Sequence, residues 1–291
     1  ERVVALAADL TESTRTHHFA ERFPERFVQV GVAEQNLASV ASGMAAMGKI
    51  PFMASYAMFS PGRNWEQIRT TIAYNEANVK IIGAHAGVSV GPDGATHQAI
   101  EDIALMRVVP GMTVLAPADR YEAERMVRFA AAHEGPVYLR FGRPKMPVFT
   151  AEDQKFEIGK AWKIKDGKDV TIIATGHLVW KAIEAEEALK EKGIDAEIIN
   201  IHTIKPLDEK AIIDSVKKTG CVVTAEEHQM NGGLGESVSG TLMRHFPVPQ
   251  EFVAVNDSFG ESGKPHELMA KYGIDTPNVI EAALKAVERK K

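Results

Sequence analysis

Short β-branched runs alternate with longer amphipathic runs along most of the chain, the pattern expected of a parallel sheet covered by helices. In the first half this alternation predicts strands at residues 3–7, 27–30, 50–54, 79–84, 113–116 and 137–140, with helices at 34–47, 65–76, 98–108 and 120–133. From Arg143 to Gly159 the alternation fails, because Pro144, Pro147 and a polar stretch interrupt it, and the segment reads as a linker. A second series predicts strands at 170–175, 196–201, 221–225 and 252–255, and helices near 178–192, 208–217, 234–245 and 277–289. The expected fold class is therefore α/β, with two consecutive domains, each a mainly parallel sheet flanked by helices. We place the first at residues 1–145, a linker at 146–158 and a smaller second domain at 159–291. Neither an internal repeat nor a low-complexity segment is visible. The first strand begins almost at once, which suggests a helix ahead of Glu1.

Length and composition agree with this picture. A chain of 291 residues exceeds a typical single core, and 45% hydrophobic with 25% charged residues carries no signal of disorder. A net charge of -5 argues against a general nucleic-acid surface, although a local Arg/His cluster is enough for a small phosphorylated molecule. The lone Cys221 cannot form a disulfide within the chain, so a reducing, cytoplasmic setting is expected. No apolar run reaches the roughly eighteen residues of a membrane span, and the first residues do not resemble a signal peptide.

Candidate chemistry concentrates in two segments. Gly83 to Asp102 reads GAHAGVSVGPDGATHQAIED, a glycine-punctuated, flexible loop carrying His85, Asp93 and His97. Gly87, Gly91 and Gly94 permit positive φ and close approach to a ligand, while Asp93 and His97 can bond hydroxyls or phosphate oxygens. Gly-Pro-Asp-Gly is equally an ordinary turn, and His85 alone suits a strand end. The second segment, Gly31-Val32-Ala33-Glu34-Gln35-Asn36, sets a carboxylate at the head of an apolar helix containing Leu37, Val40, Ala41, Met44 and Ala45. Burial there would raise its pKa, leaving a carboxylic acid able to donate to a heterocyclic nitrogen; a carboxylate complementing the helix dipole is the alternative.

Tyr56 and Phe59 are spaced to stack on a flat ring or to fill a core. Arg140 and Arg143 follow a strand, where α/β sheets bind ligands, or else form structural ion pairs. Gly232 to Glu236 resembles a phosphate-binding turn without Rossmann spacing and reads as a turn ahead of a helix. Serine hydrolase, zinc and P-loop readings have no motif support.

The segments containing Glu34, Phe59 to Arg69, His85 to His97 and Val109-Pro110-Gly111-Met112 give nearly the whole chain a resemblance to the C-terminal half of the transketolases, as found in split transketolases encoded as two subunits. The resemblance implies a thiamine diphosphate-binding fold, the pyrimidine-binding domain, followed by the transketolase C-terminal domain. It implies that Glu34 bonds the aminopyrimidine of the cofactor and promotes the imino tautomer that deprotonates the thiazolium, while Tyr56 and Phe59 stack on the pyrimidine. Gly62 stands where full-length members carry a further tyrosine. Ser13, His85, Asp93, His97 and Arg143 match the sugar phosphate site, with the Arg140 and Arg143 alignment ambiguous. A second family arginine would lie before Glu1.

The family's Gly-Asp-Gly motif, which holds the diphosphate and its Mg2+ (or Ca2+), does not occur in this sequence. The resemblance therefore implies a partner, an N-terminal subunit carrying that motif, in a heterotetramer of two copies each that acts on sugar phosphates with neither nucleic acid nor membrane. Beta subunits of 2-oxoacid dehydrogenases and 1-deoxyxylulose-5-phosphate synthases share the cofactor; the former need no polyol-reading set and the latter tend to carry arginine at the position of His85. A non-catalytic assembly subunit is the alternative of another class. Glu226, Glu227 and His228 are interface or structural candidates.

Overall fold

In the computed structural model, which describes residues 2–290, the chain builds two α/β domains. Strands β1 (Val3–Ala7), β2 (Phe27–Gln29), β3 (Ile50–Tyr56), β4 (Lys80–Ala84), β5 (Thr113–Leu115) and β6 (Val137–Arg140) form the first sheet in the order β5-β6-β4-β3-β1-β2, all parallel. Among strands of the second half, β7 (Trp162–Lys165), β8 (Val170–Ala174), β9 (Ala196–Asn200), β11 (Val222–Gln229) and β12 (Gln250–Val255) form the second sheet in the order β12-β11-β8-β9-β7. There β7 runs antiparallel to β9 and the rest is parallel. The remaining strand, β10 (Thr203–Lys205), crosses over and pairs antiparallel with β5 at the edge of the first sheet. The two domains are thus interlocked through main-chain hydrogen bonds.

Helices α1 (His17–Arg22), α2 (Glu34–Ala46), α3 (Trp65–Gln67), α4 (Asp102–Arg107) and α5 (Arg120–Ala132) accompany the first sheet. In the second half lie α6 (Leu178–Glu191), α7 (Glu209–Thr219), α8 (Leu234–His245), α9 (Pro265–Lys271) and α10 (Thr276–Arg289). Central strands such as β1, β6 and β8 are buried nearly throughout, as continuous apolar runs covered on both faces must be. Helix ends follow local chemistry: Asp119 and Asp208 cap α5 and α7, Gly220 closes α7 in the left-handed conformation, and Asp275 with Asn278 forms a capping box on α10.

The expected helix at 98–108 starts only at Asp102. Ala99 instead forms a bridge with Ala86, and its carbonyl accepts from Gly87 N–H at 2.7 Å, so the chain is extended there. The helix expected at 65–76 is α for one turn and then widens into a π-helix at Ile68–Ala73. Four elements, α1, α9, β7 and β10, were not anticipated. Helix α1 buries no residue, and β10 spans three residues, too little for a periodic signal.

Candidate functional site

Glu34 begins α2, and its side chain is only 2% exposed. Its position is fixed by Asn64, whose amide donates to the Glu34 carbonyl at 3.0 Å and to Ser60 Oγ at 3.2 Å. The carboxylate accepts a 3.0 Å bond from Arg63, whose guanidinium also lies over the Phe59 ring, 4.9 Å from its centroid. The Phe59 and Tyr56 rings are nearly parallel, at 7° with centroids 6.3 Å apart. His97 meets Phe59 edge-on at 5.3 Å, and His85 packs on Tyr56 at 4.3 Å. Tyr56, Phe59, His85 and His97 therefore form one continuous ring cluster beyond the carboxyl ends of β3 and β4, as open α/β sheets place ligand sites.

Two clefts flank this cluster. One of about 790 Å³ is lined by Phe59, Arg63, His97, Glu101 and Asp102. The other, about 1070 Å³, is lined at its polar end by Ser13, Arg15, His85 and Arg143 beside Tyr56. Asp93 joins the second set through Arg143, which donates to it at 3.1 Å and to the Val90 carbonyl at 2.7 Å. Burial first, then the Arg143 and Arg15 cations, hold His85 below the usual imidazole range against the opposing pull of Asp93. Its Nδ1 is buried and finds no partner. His85 also sits at φ +52°, a left-handed backbone uncommon outside glycine, which points its ring toward Tyr56.

Arg140 and Arg143 separate cleanly. Arg140 is buried, donating to Asp102 at 2.8 Å and to the Glu227 carbonyl at 2.7 Å, while Tyr138 donates to the same Asp102 oxygen at 2.7 Å. Arg143 is 39% exposed and faces the larger cleft, so the cation available to a ligand is Arg143.

The loop carrying His85, Asp93 and His97 differs from its sequence reading in one respect. Gly87, Gly91 and Gly94 do take positive φ, at 91°, 82° and 78°. Their close approaches, however, are to the second domain: Gly87 to Glu227, Gly91 to Pro265 and Gly94 to Ser262. Val88 to Gly91 are buried, in 3-10 turns that meet at a kink at Gly91, so the loop is pinned in place and its glycines make room for protein. The turn at Gly232 to Glu236 is likewise filled from within. Glu226 accepts from Leu234 and Gly235 N–H at 2.7 and 2.8 Å, and Arg107 bonds the Gly232 carbonyl at 2.5 Å, as suits a turn ahead of a helix. Among the described residues no group of three or more His, Cys, Asp or Glu side chains is placed to hold a metal ion. No helix among them is long and apolar enough to cross a membrane.

Sequence reading missed Arg63, Arg15 and His177, whereas Glu227, which packs behind the loop against Gly87, stood among the interface or structural candidates. Arg63 lies four residues after Phe59, a spacing that brings it back over the ring, but an exposed arginine carries no signal of its own. The Arg63 guanidinium, held by one bond to a buried carboxylate and lying over an aromatic face, shows that Glu34 and Phe59 together offer an acceptor beside a surface for a flat nitrogen-bearing group. An aminopyrimidine is such a group.

Comparison with known proteins matches residues 1–148 to the transketolase pyrimidine-binding domain and residues 159–279 to the transketolase C-terminal domain. A putative transketolase C-terminal section from Methanocaldococcus jannaschii is 45% identical over 99% of this chain and 92% of its own length. A 6-deoxy-6-sulfo-D-fructose transketolase subunit from a Clostridium species is 42% identical over 100% of this chain and 90% of its own. A solved structure described as a split-gene transketolase, inactive beta4 tetramer, superposes with a TM-score of 0.93 at 47% identity, covering 100% of this chain and 93% of that one. The chain belongs to the transketolase family, as a polypeptide made of its pyrimidine-binding and C-terminal domains.

Proposed function

We propose that this chain is the C-terminal subunit of a split transketolase, which transfers a two-carbon ketol unit from a ketose phosphate to an aldose phosphate. Its pyrimidine-binding domain would occupy residues 1–145 and its C-terminal domain 159–291, joined by a linker at 146–158. The observation that carries this reading is the ring cluster of Tyr56, Phe59, His85 and His97, with the Glu34 carboxylate at one end and Asp93, Arg143 and Ser13 at the other.

Thiamine diphosphate, when bound, supplies the electron sink for breaking and making the carbon–carbon bond. Glu34 would hold and share a proton with its pyrimidine edge, and Tyr56 and Phe59 would support the ring. Burial of Glu34 keeps water from competing for that proton. His85 at the polar end of the larger cleft, Asp93 held beside it through Arg143, and His97 across the ring cluster would bond the sugar hydroxyls, and Arg143 and Ser13, with Arg15 nearby, would meet the terminal anion. The same cations suit a sulfonate as well as a phosphate, in keeping with the Clostridium relative, so the ketose is defined here only as carrying an anionic end.

No Gly-Asp-Gly occurs in the sequence. We assign the diphosphate and its Mg2+ (or Ca2+) to an N-terminal partner subunit, in a heterotetramer of two copies each, within a cytoplasm whose reducing setting suits the unpaired Cys221. The test is reconstitution with that partner, thiamine diphosphate and magnesium. Xylulose 5-phosphate and ribose 5-phosphate should give sedoheptulose 7-phosphate, and Glu34→Gln should lower kcat by about a hundredfold or more, the scale of a lost acid–base group, with assembly intact. Carbon dioxide release from pyruvate, or full turnover in the Glu34 variant, would overturn the reading.

A further inference from the structure

The second domain presents one buried carboxylate to the loop that carries the sugar-reading residues. Glu227, on β11, is 3% exposed. One oxygen accepts from Ser89 N–H at 2.6 Å, at the start of the 3-10 turns formed by Val88–Asp93, and the other lies 3.0 Å from His177 Nδ1. His177, just ahead of α6, is 7% exposed and sits 3.4 Å from Ser89 Oγ. The first domain is shaped around this pair. A Cβ at Gly87 would overlap the Glu227 side chain, and one at Gly142 would overlap the His177 ring. Behind them, Arg140 ties the Glu227 carbonyl to Asp102. Gln98 completes the frame by donating to the Val88, Gly91 and Glu261 carbonyls at 3.1, 3.2 and 2.9 Å.

A buried carboxylate that accepts from a main-chain N–H forms a strong, directional bond, and losing it strands the donor in a dry site. Between Ser89 and Asp93 the chain makes barely two tight turns. A shift at Ser89 is therefore passed to Asp93, to its partner Arg143 and, through Gly87 and Ala86, to His85. We propose that Glu227, backed by His177, is a positioning residue: from the C-terminal domain it fixes the 88–93 turns and so the placement of His85, Asp93 and His97.

The catalytic part of this inference rests on the ketol-transfer reading above; the structural part does not, so two measurements keep them apart. Hydrogen exchange is followed on the full chain. Glu227→Ala should raise exchange of the amides from Ser89 to His97 at least tenfold while β3, β6 and β8 keep their protection, and Glu227→Gln, which can still accept from Ser89, should recover most of it. If Glu227→Ala does not fold, His177→Ala is measured instead and should raise exchange in the same segment. Unchanged exchange there, or a rise spread evenly over both sheets, would overturn the proposal. In the enzyme reconstituted with its partner, Glu227→Ala should raise the KM for the ketose donor at least fivefold with the Kd for thiamine diphosphate within twofold of wild type. Equal losses in both would mark a general structural role and also overturn it. Failure of the wild-type assembly to turn over would count against the ketol-transfer reading alone, since the exchange result would stand.

Discussion

The Arg63 guanidinium bridges the Glu34 carboxylate and the Phe59 ring, on the two surfaces assigned to the pyrimidine. Arg63 therefore competes with an aminopyrimidine for one Glu34 oxygen and for the Phe59 face. Because Arg63 is 51% exposed, the pair is screened, and such pairs are worth about 0.2–1 kcal/mol. Arg63→Ala should therefore tighten thiamine diphosphate binding by up to about fivefold in the assembled enzyme, as read by cofactor titration. Weaker binding would instead make Arg63 a cofactor ligand. At this scale, residue type and spacing made much of the candidate site legible: a carboxylate heading an apolar helix, an aromatic pair, and His and Asp on a glycine-rich loop. Pairing was not legible. Nothing in the order of residues distinguishes Arg140, turned inward to Asp102, from Arg143, turned to the cleft, because each partner comes from a distant segment.

The turn from Tyr56 to Arg63 shows what an element adds to its residues. Its chain folds back so tightly that a Cβ at Gly62 would overlap the Met58 carbonyl. This backbone therefore has no place for the tyrosine that full-length relatives are expected to carry there. Gly62→Ala should displace the turn, cost about 1–3 kcal/mol in a denaturant-unfolding series and weaken cofactor binding by spreading the Tyr56–Phe59 stack. Wild-type stability in that variant would show that the turn relaxes freely. Strands and helices with buried apolar faces were legible for a simple reason, that burial on one face imposes a period and burial on both faces a continuous apolar run. That reason fails for β11, which runs to Gln229, beyond the expected end at Ala225, through Glu226, Glu227 and His228, all buried and polar. It fails equally at Gln98, where a side-chain amide replaces a helical turn by binding loop carbonyls. Both departures lie where the two domains meet, and both support the same loop.

Across the whole molecule, the domain joint is the feature that local pattern could least reveal, since β10 leaves its own domain to complete the other domain's sheet. Beside that crossing, Glu122 of α5 is 2% exposed and accepts from Ala118 N–H at 2.9 Å and from the Asn200 amide of β9 at 2.7 Å. Burial pushes Glu122 up to about 7 from 4.5, outweighing both hydrogen bonds. The buried Asn200 Oδ1 has no partner, so turning that amide over would let it accept the proton of a neutral Glu122 carboxyl. Since the folded chain holds this proton more tightly than the unfolded chain, folding is favoured most below about pH 4.5. That advantage is lost as pH rises to about 7, by about 3 kcal/mol in all, and the loss is complete above it. Glu122→Gln keeps an acceptor for Ala118 and can donate to Asn200 without ever ionising. The variant should match wild type near pH 5 and exceed it at pH 8 by about 1–3 kcal/mol in urea unfolding. Parallel stability curves for the two proteins across that range would mean that Glu122 ionises as readily in the folded chain as in the unfolded one. A gain confined to alkaline pH would identify the joint as the place where the folded molecule holds a proton, and would separate this carboxyl group from Glu227, which burial raises but which its bonds from His177 and Ser89 bring to a net value below the ordinary range.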